Sequence, residues 1–131
     1  MSAGAPESIH FKYMIHRIHR GEELENPYVV YGFGGSLHDF SEVLFPGDLR
    51  NCAKCHVNDS FTLPLPEGVL ATDTPRNLWT PTEPIAAACI GCHDSELTAT
   101  HIDTNTSFFG EACSTCHGVG KDFAVEKVHA R

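Results

Sequence analysis

Cys52-Ala53-Lys54-Cys55-His56, Cys89-Ile90-Gly91-Cys92-His93 and Cys113-Ser114-Thr115-Cys116-His117 together use every cysteine of this 131-residue chain. Each is a Cys-x-x-Cys pair followed at once by histidine, the spacing of a c-type haem attachment site. The two thiols of such a motif add across the two vinyl groups of a porphyrin, and the adjacent histidine lies beneath the iron as its proximal ligand. Zinc would need two pairs per ion, which leaves one pair and three coincident histidines without a purpose. A thioredoxin-like couple would need a βαβ setting, and the sequence offers none. The motifs therefore predict three haem c groups, held by Cys52, Cys55, Cys89, Cys92, Cys113 and Cys116, with His56, His93 and His117 as proximal ligands.

Nine histidines are present, so six lie outside the motifs: His10, His16, His19, His38, His101 and His129. Only two methionines exist, Met1 and Met14. Paired imidazoles keep an iron at low potential, whereas methionine ligation raises it. With histidine in surplus, bis-histidine ligation is expected for all three haems. His16 and His19 are three apart on a helix, about 60° round its axis, and can reach two different irons. His101 lies between the second and third motifs, and His129 follows His117 at a distance of twelve residues. His10 points away from the His16 and His19 pair. His38 sits beside Asp39 in a Gly-rich segment and reads equally as a loop residue, so neither is a leading ligand.

Outward from these residues, one amphipathic helix is predicted from Ile9 to Arg20, with Ser8 as its N-cap and Gly21 at its C-terminal end. Tyr28-Val29-Val30-Tyr31 is β-prone but is followed at once by Gly32, Gly34 and Gly35. Phe45-Pro46-Gly47-Asp48 reads as a turn into the first motif. Residues 62–84 carry five prolines and read as a surface loop. Short helices are expected at Ile85 to Cys92 and at Asp122 to His129. The fold class is thus mainly α with much irregular coil and little or no β-sheet. It forms one domain over 1–131, with a flexible start at 1–8, organised around three covalent haems that replace an aliphatic core.

Hydrophobic residues make up 41% and charged residues 20%, which excludes a disordered tail. No apolar run is long enough to span a bilayer, so no membrane insertion is expected, and no export segment stands at the start. Seventeen acidic against nine basic residues give a formal charge of −8, which argues against nucleic acid and favours basic partners.

Four stretches carry a family resemblance: His10-Phe-Lys-Tyr-Met-Ile-His16-Arg-Ile-His19-Arg-Gly21, Phe45-Pro-Gly-Asp-Leu-Arg-Asn-Cys52, Leu63-Pro-Leu-Pro-Glu-Gly68 and Cys89-Ile-Gly-Cys92-His93-Asp94. They resemble the outer-membrane decahaem c-type cytochromes of the OmcA/MtrC type, over the last three haems of one five-haem domain. The resemblance implies extracellular electron transfer to minerals, flavins or partner cytochromes. It also implies distal ligands drawn from His16, His19, His101 and His129. Four such histidines would serve these three haems and one upstream haem, so three of the four are expected on the haems of this chain. The fourth is either idle or bound to a haem of a neighbouring molecule.

The reading is an electron carrier rather than an enzyme, with other redox proteins or cytochromes, flavins or metal oxides as partners and self-association as an option. Haem c is attached outside the cytoplasm, which gives a periplasmic or extracellular location. The alternatives are a haem reductase with one open iron and a subunit of a haem filament.

Overall fold

The computed structural model describes residues 7–73 and 81–130. Helix α1 (Phe11–Arg20) begins two residues later than its pattern suggests, because the Ser8 hydroxyl accepts the His10 N–H instead of capping the first turn. Its C-terminus is as expected: Gly21 takes φ +46° and its N–H bonds the Arg17 carbonyl. A side chain there would strike the backbone of Val43. Tyr13 and Arg17, four residues apart on one face, are the buried residues of α1.

The glycines after Tyr31 do not end the β-structure; they turn it. Strand β1 (Val29–Tyr31) pairs antiparallel with β2 (Leu37–Asp39), with Val30 opposite His38, and Gly32 to Ser36 forms the connection. Gly34 and Gly35 both take positive φ, which is what allows the reversal. A second two-stranded unit joins β3 (Thr106–Ser107) to β4 (Gly110–Glu111). Among the described residues these two hairpins hold the named strands; the rest is helix, turn and coil.

Helix α2 (Pro84–Cys89) starts on a proline, whose missing N–H costs nothing at that position, and ends on the first cysteine of the second motif. Helix α3 (Glu96–Thr104) has no counterpart in the sequence expectations. Ser95 caps it by accepting the Thr98 N–H. None of its described residues is buried, so it lacks the apolar stripe that would have announced it. The third motif lies on α4 (Ser114–His117), and the terminal helix shortens to α5 (Val125–Val128).

The Pro-rich segment does more than cross the surface. Leu63 is buried and its carbonyl accepts the Val119 N–H, while Thr72 and Thr82 are buried and exchange two backbone bonds. Residues 74–80 of that segment, and residues 1–6 of the start, lie outside the described residues. Glu7 and Ser8, which begin the described chain, are packed: the Ser8 carbonyl accepts the buried Tyr28 hydroxyl.

The apolar core is small. Tyr13, Leu24, Tyr28 and Ile90 form it, with Met14, Ile18, Val30, Phe40 and Ile102 against its edges. Arg17 runs through this cluster with 1% of its surface exposed. Its guanidinium donates to the carbonyls of Ile90 (3.0 Å) and Asn26 (2.6 Å) and lies 3.5 Å from the carboxylates of Asp94 and Glu7. The rings of Tyr13 and Tyr28 face it at 5.2 and 5.8 Å. Asp94 in turn accepts the backbone N–H groups of Glu25 and Asn26. The segment after α1 is thereby fastened to the residue that follows His93.

Candidate functional site

All three motifs fold the same way. In each, the histidine N–H donates to the carbonyl of the first cysteine: His56 to Cys52 (2.9 Å), His93 to Cys89 (2.8 Å) and His117 to Cys113 (2.9 Å). The second cysteine N–H also bonds the first carbonyl, at 3.1, 3.2 and 3.3 Å. One tight helical turn therefore sets two thiols and an imidazole at fixed positions, three times over. All six cysteines are free thiols.

Each motif histidine faces one imidazole from outside the motifs. The ring centres of His16 and His56 are 6.2 Å apart and nearly parallel, at 17°. His93 faces His129 at 6.1 Å and 45°, and His101 faces His117 at 6.2 Å and 86°. Among the described residues no three of His, Cys, Asp and Glu converge on one point; the imidazoles come in twos.

Local backbone orients these rings. The His16 Nδ1–H donates to the Lys12 carbonyl (2.5 Å), that of His129 to Val125 (2.8 Å) and that of His117 to Phe123 (2.6 Å). A carbonyl can only accept, so the proton is on Nδ1 and the lone pair of the neutral ring is on Nε2. For His16 and His129 the partner is the residue four earlier, one helical turn back. His56 pairs its Nδ1 with the Ser60 hydroxyl at 3.3 Å.

His19 is oriented in the same way, by the Ile15 carbonyl at 2.8 Å, but among the described residues no imidazole faces it. Its ring lies edge-on to Phe45, centres 6.0 Å apart, and Phe45 lines a cleft of about 620 Å³ together with Arg20, Leu44 and Arg50. Among the described residues, His10 and His38 are not brought to any motif histidine. The Nε2 of His38 is engaged by the Ser36 hydroxyl at 3.1 Å.

The surroundings favour uncharged groups. Burial and, next, the facing His16 lower the pKa of His56; burial and then His129 do the same to His93. Burial pushes the Cys89 thiol up to about 11 and the Cys113 thiol up to about 12, with the Glu111 carboxylate as the second cause in both. Neutral imidazoles are the form that binds a metal.

The motifs also adjoin one another. Cys92 is within electrostatic reach of Cys52, and Cys113 within reach of Cys89. The second attachment loop thus adjoins both the first and the third. Near the first, a smaller cleft of about 200 Å³ is lined by Cys52, Ala53, Phe61 and His129. Gly91, inside the second motif, is buried against α1: a Cβ there would lie 2.5 Å from the His16 Cβ.

Sequence reasoning did not find Gly91, Arg17 or Glu111. No periodicity marks them, because each acts on a residue distant in the chain. The Nδ1 ties were within reach of it, since they need only a helical histidine and the carbonyl four residues before.

Three repeated thiol–thiol–imidazole turns with an opposed imidazole for each define a protein of the c-type multihaem cytochrome class. The family model for outer membrane cytochrome MtrC/MtrF-like proteins, domains II/IV, matches residues 1–130, and the chain belongs to that family. The crystal structure of the outer membrane decaheme cytochrome OmcA superposes with a TM-score of 0.52 at 30% identity. The match covers 91% of this chain and 17% of OmcA. No curated protein matches the chain.

Proposed function

We propose that this chain carries three c-type haems in a row and passes electrons along them. The observation that carries the reading is the one-to-one opposition of His56, His93 and His117 to His16, His129 and His101. Two metal–imidazole bonds of about 2 Å on opposite sides of an ion bring two ring centres to about 6 Å. The three observed separations, 6.1 to 6.2 Å, fit that span. Exposed apolar side chains flank the motifs, among them Val57, Val119 and Phe123, and suit the faces of a porphyrin.

The haem supplies the one-electron iron chemistry when bound. The chain's own residues fix everything else. Cys52 and Cys55, Cys89 and Cys92, and Cys113 and Cys116 form the thioether anchors. His56, His93 and His117 are the proximal ligands, with His16, His129 and His101 opposite them in that order. Lys12, Val125 and Phe123 present Nε2 to the metal through their carbonyls. Held by these pairs, each iron would have both axial sides closed by protein, which would suit electron exchange and leave no position for a substrate. This favours an electron carrier over a reductase.

Of the four distal candidates, His19 is the one outside the three pairs. It is therefore the histidine that is either idle or bound to a haem of a neighbouring molecule. The adjoining motifs give an electron path from the first haem through the second to the third. The excess of acidic residues, with formal charge −8, suits cationic redox partners, other cytochromes among them, with flavins and metal oxides as terminal acceptors. The location that goes with this role is the cell surface or periplasm.

Intact mass and optical spectra of the matured protein test the reading. The expected mass is the polypeptide plus three haems, with low-spin bands in both redox states. A mass short of three haems, or a high-spin band that cyanide shifts, overturns it.

A further inference from the structure

The Glu111 carboxylate, at the end of β4, is half-buried and joins two attachment loops. Its Oε2 accepts the Ile85 N–H at 2.8 Å and its Oε1 the Ala86 N–H at 2.9 Å. Pro84 has no N–H to offer, so this one carboxylate takes the first two donors of α2, the helix that ends on Cys89. The same Oε1 accepts the Cys113 thiol, Sγ at 3.8 Å. Once Cys113 is a thioether its sulfur has no proton to donate, and Glu111 then joins the two motifs through its bonds to α2 and its place two residues before Cys113 in the chain. Burial and, next, the Glu111 charge raise the pKa of the Cys89 and Cys113 thiols, so the carboxylate is within electrostatic reach of both sulfurs. Lys12, on α1, is a cation within its electrostatic reach.

We propose that Glu111 is a positioning residue that ties the second and third haem-attachment loops together, and that its negative charge holds down the reduction potentials of those two haems but not of the first. The proposal rests on the three-haem reading above. A fixed anion in a partly buried setting stabilises the ferric state, which carries one more positive charge than the ferrous, and low local dielectric strengthens the effect. A role confined to capping α2 would alter stability and leave the potentials alone.

The experiment compares matured wild-type protein with Glu111→Gln, each first shown by intact mass to carry three haems. Potentiometric titration followed by electron paramagnetic resonance then reads each low-spin iron. In Glu111→Gln two of the three signals are expected to move to more positive potential while the third stays in place. No movement, or an equal movement of all three, overturns the proposal. The amide of Gln turns a donor toward the α2 N-terminus, so that variant can lose haem. Lys12→Met then decides: it leaves the carbonyl that holds His16 intact and removes a cation within electrostatic reach of Glu111. The same two signals are expected to shift to more negative potential, and their failure to do so overturns the proposal. Wild-type protein with fewer than three haems sinks the electron-transfer reading instead, so the two failures are distinct.

Discussion

A histidine binds a metal only through the ring nitrogen that lacks a proton, and in this protein backbone carbonyls choose that nitrogen. The ties at His16, His129 and His117 leave Nε2 without a proton in rings that each face another imidazole. His19 has the same tie and faces Phe45. The difference predicts opposite outcomes for two substitutions on one helix. His16→Ala is expected to turn one haem of the three high-spin and able to bind cyanide, while His19→Ala leaves the optical spectrum and the haem count of the single chain unchanged. The reverse result would mean that the pairing is wrong. Gly91 tests the same site from the other side. Its missing Cβ is what lets the second motif lie against His16, where any side chain would come within 2.5 Å of the His16 Cβ and 3.1 Å of the Ala88 carbonyl. Gly91→Ala is expected to cost about 1–3 kcal/mol by overpacking. It should disturb the magnetic signature of the haem bound at His56 before the other two, as electron paramagnetic resonance would show.

At the scale of elements, α1 organises the molecule because its buried face carries a cation rather than an aliphatic residue. Arg17 meets Asp94 and Glu7 at 3.5 Å and spans from Asn26 to Ile90 through its two amino groups. Removing a buried cation while its carboxylates stay costs about 3–5 kcal/mol. Arg17→Met is therefore expected to lower the thermal midpoint strongly, and Arg17→Met with Asp94→Asn to recover part of the loss. An unchanged midpoint in the single variant would remove this cluster from the account. Much of α1 was legible in the sequence, since Gly21 closes it where the pattern said, and α2 was legible from its alanines. The hairpin of β1 and β2 was not, because Gly32, Gly34 and Gly35 were read as an end to β-structure and serve as its turn. Helix α3 was missed because nothing on it is buried. The motifs could be read residue by residue, since their chemistry depends on spacing within five positions. Which histidine opposes which could not: His16 with His56 and His93 with His129 are joined by packing across the whole chain, and no local pattern records it.

Over the whole molecule, the apolar core does not account for the fold. Among the described residues the largest buried apolar side chains are two tyrosines, three of the other buried apolar residues are alanines, and Phe33 and Phe109 stand fully exposed. A chain of this length ordinarily buries far more aliphatic surface than that to offset its conformational entropy. The three imidazole pairs join segments far apart: α1 to the first motif, the second motif to the residue after α5, and α3 to α4. A metal held between each pair cross-links those segments, and binding free energy becomes folding free energy when the site does not exist in the unfolded chain. The polypeptide with all six cysteines changed to alanine, and so without covalent haem, is expected to show little helical circular dichroism and no cooperative thermal transition. The matured protein should melt cooperatively. His101→Ala, which removes one of the three cross-links and leaves all thioethers in place, should fall between the two. A haem-free chain with the circular dichroism and sharp transition of the matured protein would show that the small tyrosine-centred core suffices by itself.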